Sequence, residues 1–164
     1  MDISLRELKI EDAKRMLKWM HTEKVTKYLN ADFSAKSLDD CMLFITSSKR
    51  SKQDVHFAIV NNADEYIGTV SLKNIINNTA EFAIVLSDSV FGLGVGKEAM
   101  KLILDYGRKE LNLKDIYWCV SPLNKRAVCF YDKNGYSRID PPKCLPLNTN
   151  YSKEQIGEFL WYKY

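Results

Sequence analysis

Two histidines, four prolines and seven glycines in 164 residues leave little material for several common chemistries. His21 and His56 complete no Ser/His/Asp or Cys/His arrangement. The four cysteines, Cys41, Cys119, Cys129 and Cys144, include no C-x-x-C pair, and none has a histidine at zinc-ligand spacing. They read as reduced, mostly packing thiols, and no metal is expected. So little glycine and proline excludes a collagen-like or linker-dominated chain. Apolar runs reach only about five residues, as at 82–86, against the ~20 that a membrane helix needs. The first seven residues hold two acids and no apolar core, so no secretory signal is expected and the location reads as cytoplasmic. No charge dominates either: 24 Lys and Arg stand against 21 Asp and Glu, interleaved, which argues against a nucleic-acid partner.

What is present is a globular composition, 46% hydrophobic and 27% charged, in a length that suits one domain over 1–164. A chain of this size buries ~70% of its unfolded surface. Residues 3–8 alternate like a strand, and 11–20 switch to helical period with Ala13, Met16, Leu17 and Met20 on one face. Ser37 and Asp40 form a capping-box variant opening a helix over 38–48, with Leu38, Cys41, Met42 and Ile45 inward. Strands at 55–60, 66–72 and 79–86, joined by Asn-rich turns, make an antiparallel meander. A helix over 97–110 then carries a stripe of Ala99, Leu102, Ile103 and Tyr106. A short strand at 116–120 precedes a helix at 125–133, which Asn134 and Gly135 end. Strands at 136–139 and 159–164 complete a mixed α/β (α+β) chain.

Between the meander and the 97–110 helix lies Gly92-Leu93-Gly94-Val95-Gly96. Alternate glycines at a helix N-terminus let backbone amides approach an anion without intervening side chains. The P-loop pattern fails twice, because Phe91 stands where the first glycine belongs and Glu98 where Ser or Thr belongs. Residues 94–99 do spell G-x-G-x-x-A. A dinucleotide site, however, needs that turn directly after the first strand of a parallel βαβ unit, and here four residues and an antiparallel meander precede it.

The segment 92–99 with residues 81–86 before it resembles the acetyl-CoA-binding region of the GNAT N-acetyltransferase family. Residues 120–136, with Asn124, Ala127, Tyr131 and Gly135-Tyr136, are similar to that family's V-x-x-x-N-x-x-A-x-x-x-Y-x-x-x-G-[FY] segment. The resemblance runs through residue 139, and the N-terminal part looks most like the branch of ribosomal-protein N-terminal acetyltransferases. It implies the GNAT fold, a mostly antiparallel twisted sheet of about six or seven strands with about four helices, and acetyl transfer from acetyl-CoA to a primary amine in a ternary complex. The alternatives on one scaffold are another acyl-CoA donor or a CoA-thioester-binding module without turnover.

By the same resemblance, the backbone of Ile84, Val85 and Leu86 pairs with the pantetheine arm. The amides of Gly92, Leu93, Gly94, Val95, Gly96 and Lys97 cradle the pyrophosphate, and Asn124 contacts the donor. Tyr131 protonates the leaving sulfur, and Glu81 drains the amine proton. Two departures stand out: Phe91 replaces the family's usual Arg or Gln at the loop entrance, where Lys97 is a candidate substitute. Cys119 occupies the position of a glutamate found in some relatives. Trp19, His21, Lys24, Tyr28, Asp32 and Phe33 are expected to line an acceptor groove that suits a peptide N-terminus, an amino sugar or a polyamine, and the tail from 141 to 153 to close over it. Family habit also implies a homodimer.

Overall fold

The computed structural model describes residues 1–143 and 151–164. Thirteen regular elements follow one another: β1 (Ile3–Glu7), α1 (Ala13–Met20), α2 (Glu23–Thr26), α3 (Leu38–Ser48), β2 (Val55–Asn61), β3 (Tyr66–Ile76), β4 (Thr79–Leu86), α4 (Val95–Lys109), β5 (Asp115–Val120), α5 (Lys125–Lys133), β6 (Ser137–Ile139), α6 (Lys153–Glu158) and β7 (Leu160–Lys163). The strands form one sheet in the order β1-β2-β3-β4-β5-β7-β6, antiparallel at every pair except β4 with β5.

The sheet separates two cores. On one face α4 and α5 lie over Ile59, Val70, Leu72, Phe82 and Trp118; on the other α1 and α3 lie over Ala58, Val60 and Tyr66. Strand alternation explains the split, since neighbouring residues of β2 feed opposite faces. The Asn77-Asn78 turn holds both residues at positive φ, as a tight two-residue hairpin requires.

Several expectations shift in detail. β3 runs four residues beyond the expected 72, and two short helices, α2 and α6, raise the helix count among the described residues to six. The buried stripe of α4 is centred on Met100, Ile103, Leu104 and Gly107, so Leu102 and Tyr106 only flank it. Cys129 is exposed and packs against nothing in the core: Val128, Phe130 and Tyr131 take the inward face of α5, and position 129 falls opposite. Cys144 and most of the segment expected to cover the acceptor groove lie outside the described residues. Among the described residues, no helix is long and apolar enough to cross a membrane.

Candidate active site

β4 and β5 pair only over Thr79–Asp115, Ala80–Ile116 and Glu81–Tyr117, then part. β4 continues to Leu86 still paired with β3, so residues 82–86 present a strand edge with no paired neighbour on the β5 side among the described residues. A cleft of about 1500 Å³ opens there and runs past the glycine loop and along α5. Glu81, Ile84, Val85, Leu86, Gly92, Gly94, Val95, Gly96, Lys97, Asn124 and Tyr131 all line it, so one cavity gathers eleven of the twelve expected site residues. Leu93 is the exception: its side chain is half exposed, and its amide already bonds Val90 O at 3.3 Å.

The loop's glycines are needed for conformation. Gly92 and Gly94 both hold φ +80°, where a side chain is strained, and Gly94 caps α4. The amides of Gly92, Gly94, Val95 and Gly96 make no hydrogen bond among the described residues, whereas Lys97 N is spent on Gly94 O at 3.1 Å. Four unspent donors therefore sit on residues that line the cleft, at and just before the positive end of the fifteen-residue α4. Asn124 caps α5, its Oδ1 accepting from Ala127 N at 3.2 Å. Its side-chain amide N–H groups remain available to a ligand.

Phe91, at the loop entrance, is covered by the Arg126 guanidinium 3.5 Å from its ring centroid, with Lys24 Nζ at 5.6 Å. Arg126 lines the cleft and has no carboxylate partner among the described residues. A cation therefore stands over position 91, beside Lys97, the substitute expected from sequence.

Tyr131 sits among Trp118, Phe130, Tyr136 and Tyr162, nearly fully buried yet on the cleft wall. Burial first, then the neighbouring tyrosines, holds its phenol well above the usual range, so it stays protonated at any working pH. The Trp118 indole N–H, in the same wall, is a buried donor without a partner among the described residues.

Glu81 is 5% exposed, the most deeply set carboxylate of the cleft. Tyr151 Oη donates to its Oε1 at 2.7 Å and Asn74 Nδ2 to its Oε2 at 3.3 Å, while Lys73 Nζ stands 3.6 Å away. Asp54, the cleft's other acid, accepts from Asn74 N at 2.9 Å. His56 gives or takes a hydrogen bond with Ser71 Oγ at 2.7 Å, and its burial lowers its affinity for a proton. Phe33 and Phe44 add aromatic wall.

Of the six residues expected to shape the acceptor groove, Tyr28 and Phe33 line the cleft. Trp19 is buried against Phe33 and donates to Tyr66 Oη at 2.9 Å; His21 bonds Lys36 O; Asp32 accepts from Ser34. Lys24 lies over Phe91. Asp54, His56, Asn74 and Tyr151 line the cleft instead of those four. They are isolated polar residues on separate elements, and no local pattern announces them.

The family model described as acetyltransferase (GNAT) domain matches residues 2–137. The chain belongs to the GNAT acetyltransferase family. An uncharacterized N-acetyltransferase p20 of Bacillus licheniformis is 30% identical over 131 residues, 77% of this chain and 74% of that one. The spermidine N(1)-acetyltransferase of Escherichia coli is 37% identical over 81 residues, and that match spans 48% of this chain and 44% of the relative. The crystal structure of a Vibrio cholerae spermidine N-acetyltransferase, in complex with CoA and spermine, superposes with a TM-score of 0.80 at 21% identity, covering 99% of this chain and 94% of that one. Two of these three are spermidine acetyltransferases, and none is a ribosomal-protein N-terminal acetyltransferase, the branch that the N-terminal residues resemble. The GNAT fold expected from sequence is the fold observed, and the chain is an acetyl-CoA-dependent N-acetyltransferase by membership.

Proposed function

We propose that the cleft holds acetyl-CoA along β4 and the glycine loop and acetylates a small cationic amine that enters beside Glu81. The observation that carries this reading is the separation of charge along the cavity. Lys97 and Arg126 flank the glycine loop and Lys133 follows on α5, whereas both carboxylates, Glu81 and Asp54, stand on the meander side with Lys73. A polyanionic donor and a cationic acceptor each find the complementary end.

The free edge of β4 at Ile84, Val85 and Leu86 takes the pantetheine amides as an added strand, and the loop amides with Lys97 and Arg126 take the pyrophosphate. Glu81 removes the proton that the incoming ammonium carries. The neutral nitrogen then attacks the thioester carbonyl carbon, the C–S bond breaks, Tyr131 gives its proton to the departing thiolate, and the second proton that the nitrogen sheds as the amide forms restores the Tyr131 phenol. Asn124 steadies the donor beside it. No covalent acetyl-enzyme is needed.

The acceptor is a polyamine in this reading: two carboxylates and aromatic walls suit an extended alkyl ammonium, and two of the three relatives named above are spermidine acetyltransferases. Peptide N-terminal acetylation, the habit of the branch favoured on sequence, is the competing outcome. The same proposal places the protein in the cytoplasm as one domain, a homodimer without nucleic acid; light scattering tests the dimer. The deciding experiment is thermal melting with and without acetyl-CoA, followed by thiol release with spermidine, glucosamine and a peptide amine. Donor at ~100 times its dissociation constant stabilises by ~2.7 kcal/mol. Stabilisation by acetyl-CoA with thiol release on spermidine alone supports the reading; release on the peptide alone moves the acceptor to the other branch, and absence of any shift overturns the donor assignment.

A further inference from the structure

We propose that Asn74 and Tyr151 are positioning residues that jointly aim the Glu81 carboxylate at the incoming amine, one holding each of its oxygens. The inference rests on Glu81 acting as the base. A carboxylate on a strand has a broad terminal torsion and, left alone, points in many directions. Here Oε1 accepts from Tyr151 Oη at 2.7 Å and Oε2 from Asn74 Nδ2 at 3.3 Å, which fixes the plane of the group and leaves its remaining lone pairs for the ligand. Neither donor carries a charge; the cation beside the group is Lys73, whose Nζ lies 3.6 Å from Oε1.

Both residues reach this spot by unusual routes. Asn74 stands where the pairing of β3 with β4 shifts register, at φ +53°, a conformation that non-glycine residues rarely adopt and Asn tolerates best. That bulge turns its backbone N–H to Asp54 Oδ1 and its side-chain amide to Glu81, so one residue links the two acids of the cleft. Tyr151 comes from the other end of the chain, seventy positions away, braced edge-on by Phe159 and Trp161. Gln155, one helical turn into α6, donates to Asn30 at the cleft rim, which ties the same segment to the loop between α2 and α3. The acceptor end of the cavity is therefore completed by the C-terminal segment. A strand carboxylate with only packing neighbours would need neither the bulge nor the hydroxyl.

The test is a double-mutant cycle on the full chain, with kcat read under saturating amine and acetyl-CoA affinity read by calorimetry. Tyr151→Phe keeps the ring packing and removes the hydroxyl; Asn74→Gly keeps the left-handed backbone and its N–H and removes the amide. Each is expected to lower kcat about tenfold or more while leaving acetyl-CoA affinity and melting temperature near the parent values. In a Glu81→Gln background neither change is expected to lower the rate further, because the group they aim is gone. A parent-like kcat for both single variants, or losses that simply multiply with that of Glu81→Gln, overturns the positioning role and leaves Glu81 as base intact. A fully active Glu81→Gln enzyme overturns the base assignment itself, and this inference with it.

Discussion

The two ends of the cleft are built by different means. The end proposed for the donor is made mostly of backbone: a strand edge at residues 82–86, four loop amides and a helix cap, all within the stretch from 81 to 124. The end proposed for the acceptor is made of side chains from β2, β3, β4, β5 and the segment before α6, joined by hydrogen bonds that span up to seventy positions. Backbone sites need particular conformations, which glycine and capping residues announce. Side-chain sites need only the right group at the right place, and any strand position can supply it.

The sharpest way to break this division is at the point where the ends meet. Tyr131→Phe is expected to lower kcat by about 10²- to 10⁴-fold with acetyl-CoA affinity retained, since it removes the proton donor and leaves every donor-binding contact in place. Steady-state kinetics beside calorimetry checks it; a loss of donor affinity with normal kcat would assign Tyr131 to packing alone.

The donor end is expected to respond to shape before charge. A Cβ on Gly68 would stand 2.5 Å from Val85 O and 2.9 Å from the Leu86 side chain, so β4 must move toward the cleft to admit it. Gly68→Ala is expected to destabilise the fold by about 1–3 kcal/mol and to weaken acetyl-CoA binding. Thermal melting and titration measure the two effects, and unchanged affinity would show that the β4 edge does not hold the donor.

Charge comes next. Arg126→Ala is expected to raise the acetyl-CoA dissociation constant about tenfold, more steeply at low salt, with the amine KM unchanged. Lys97→Ala read in the same titration shows how the two cations share the phosphates, and a parent-like Arg126→Ala would return that role to Lys97.

The smallest effect is chemical. Burial pushes the Cys119 thiol up to about 12, so almost none of it is thiolate near pH 8, while Cys129 is exposed. Iodoacetamide is expected to label Cys129 first, and acetyl-CoA to slow Cys119 without affecting Cys129. Peptide mass mapping follows both. Equal rates at the two sites would mean that Cys119 is not sheltered in the cleft.

The contrast between the ends also explains how far the sequence could be read. Gly92, Gly94, Asn124 and Tyr131 stand at fixed local spacings with a conformational or chemical reason for each residue type, and all four line the cleft. The three-strand meander follows from Asn-rich turns, whereas the parallel pairing of β5 with β4 comes from the crossover through α4, which no local pattern states. Asn74 and Tyr151 escaped because a lone Asn at the end of a strand pattern and a lone Tyr after a proline-broken segment carry no period. Their roles arise from a bulge and from a long-range return of the chain. Trp19 and His21 misled for the complementary reason: polar–aromatic composition beside the cleft was read as lining, whereas tertiary packing turned Trp19 into the core and spent His21 on a backbone carbonyl.

The most direct test of the division is one variant at the acceptor end read for both functions. Glu81→Gln keeps the shape and hydrogen-bonding reach of the side chain and removes its charge and basicity. The expected result is acetyl-CoA binding within about twofold of the parent, near the noise of a binding free energy, with acetyl transfer to spermidine slowed by about 10²-fold or more. Parent-like turnover, or loss of acetyl-CoA binding together with turnover, would contradict it.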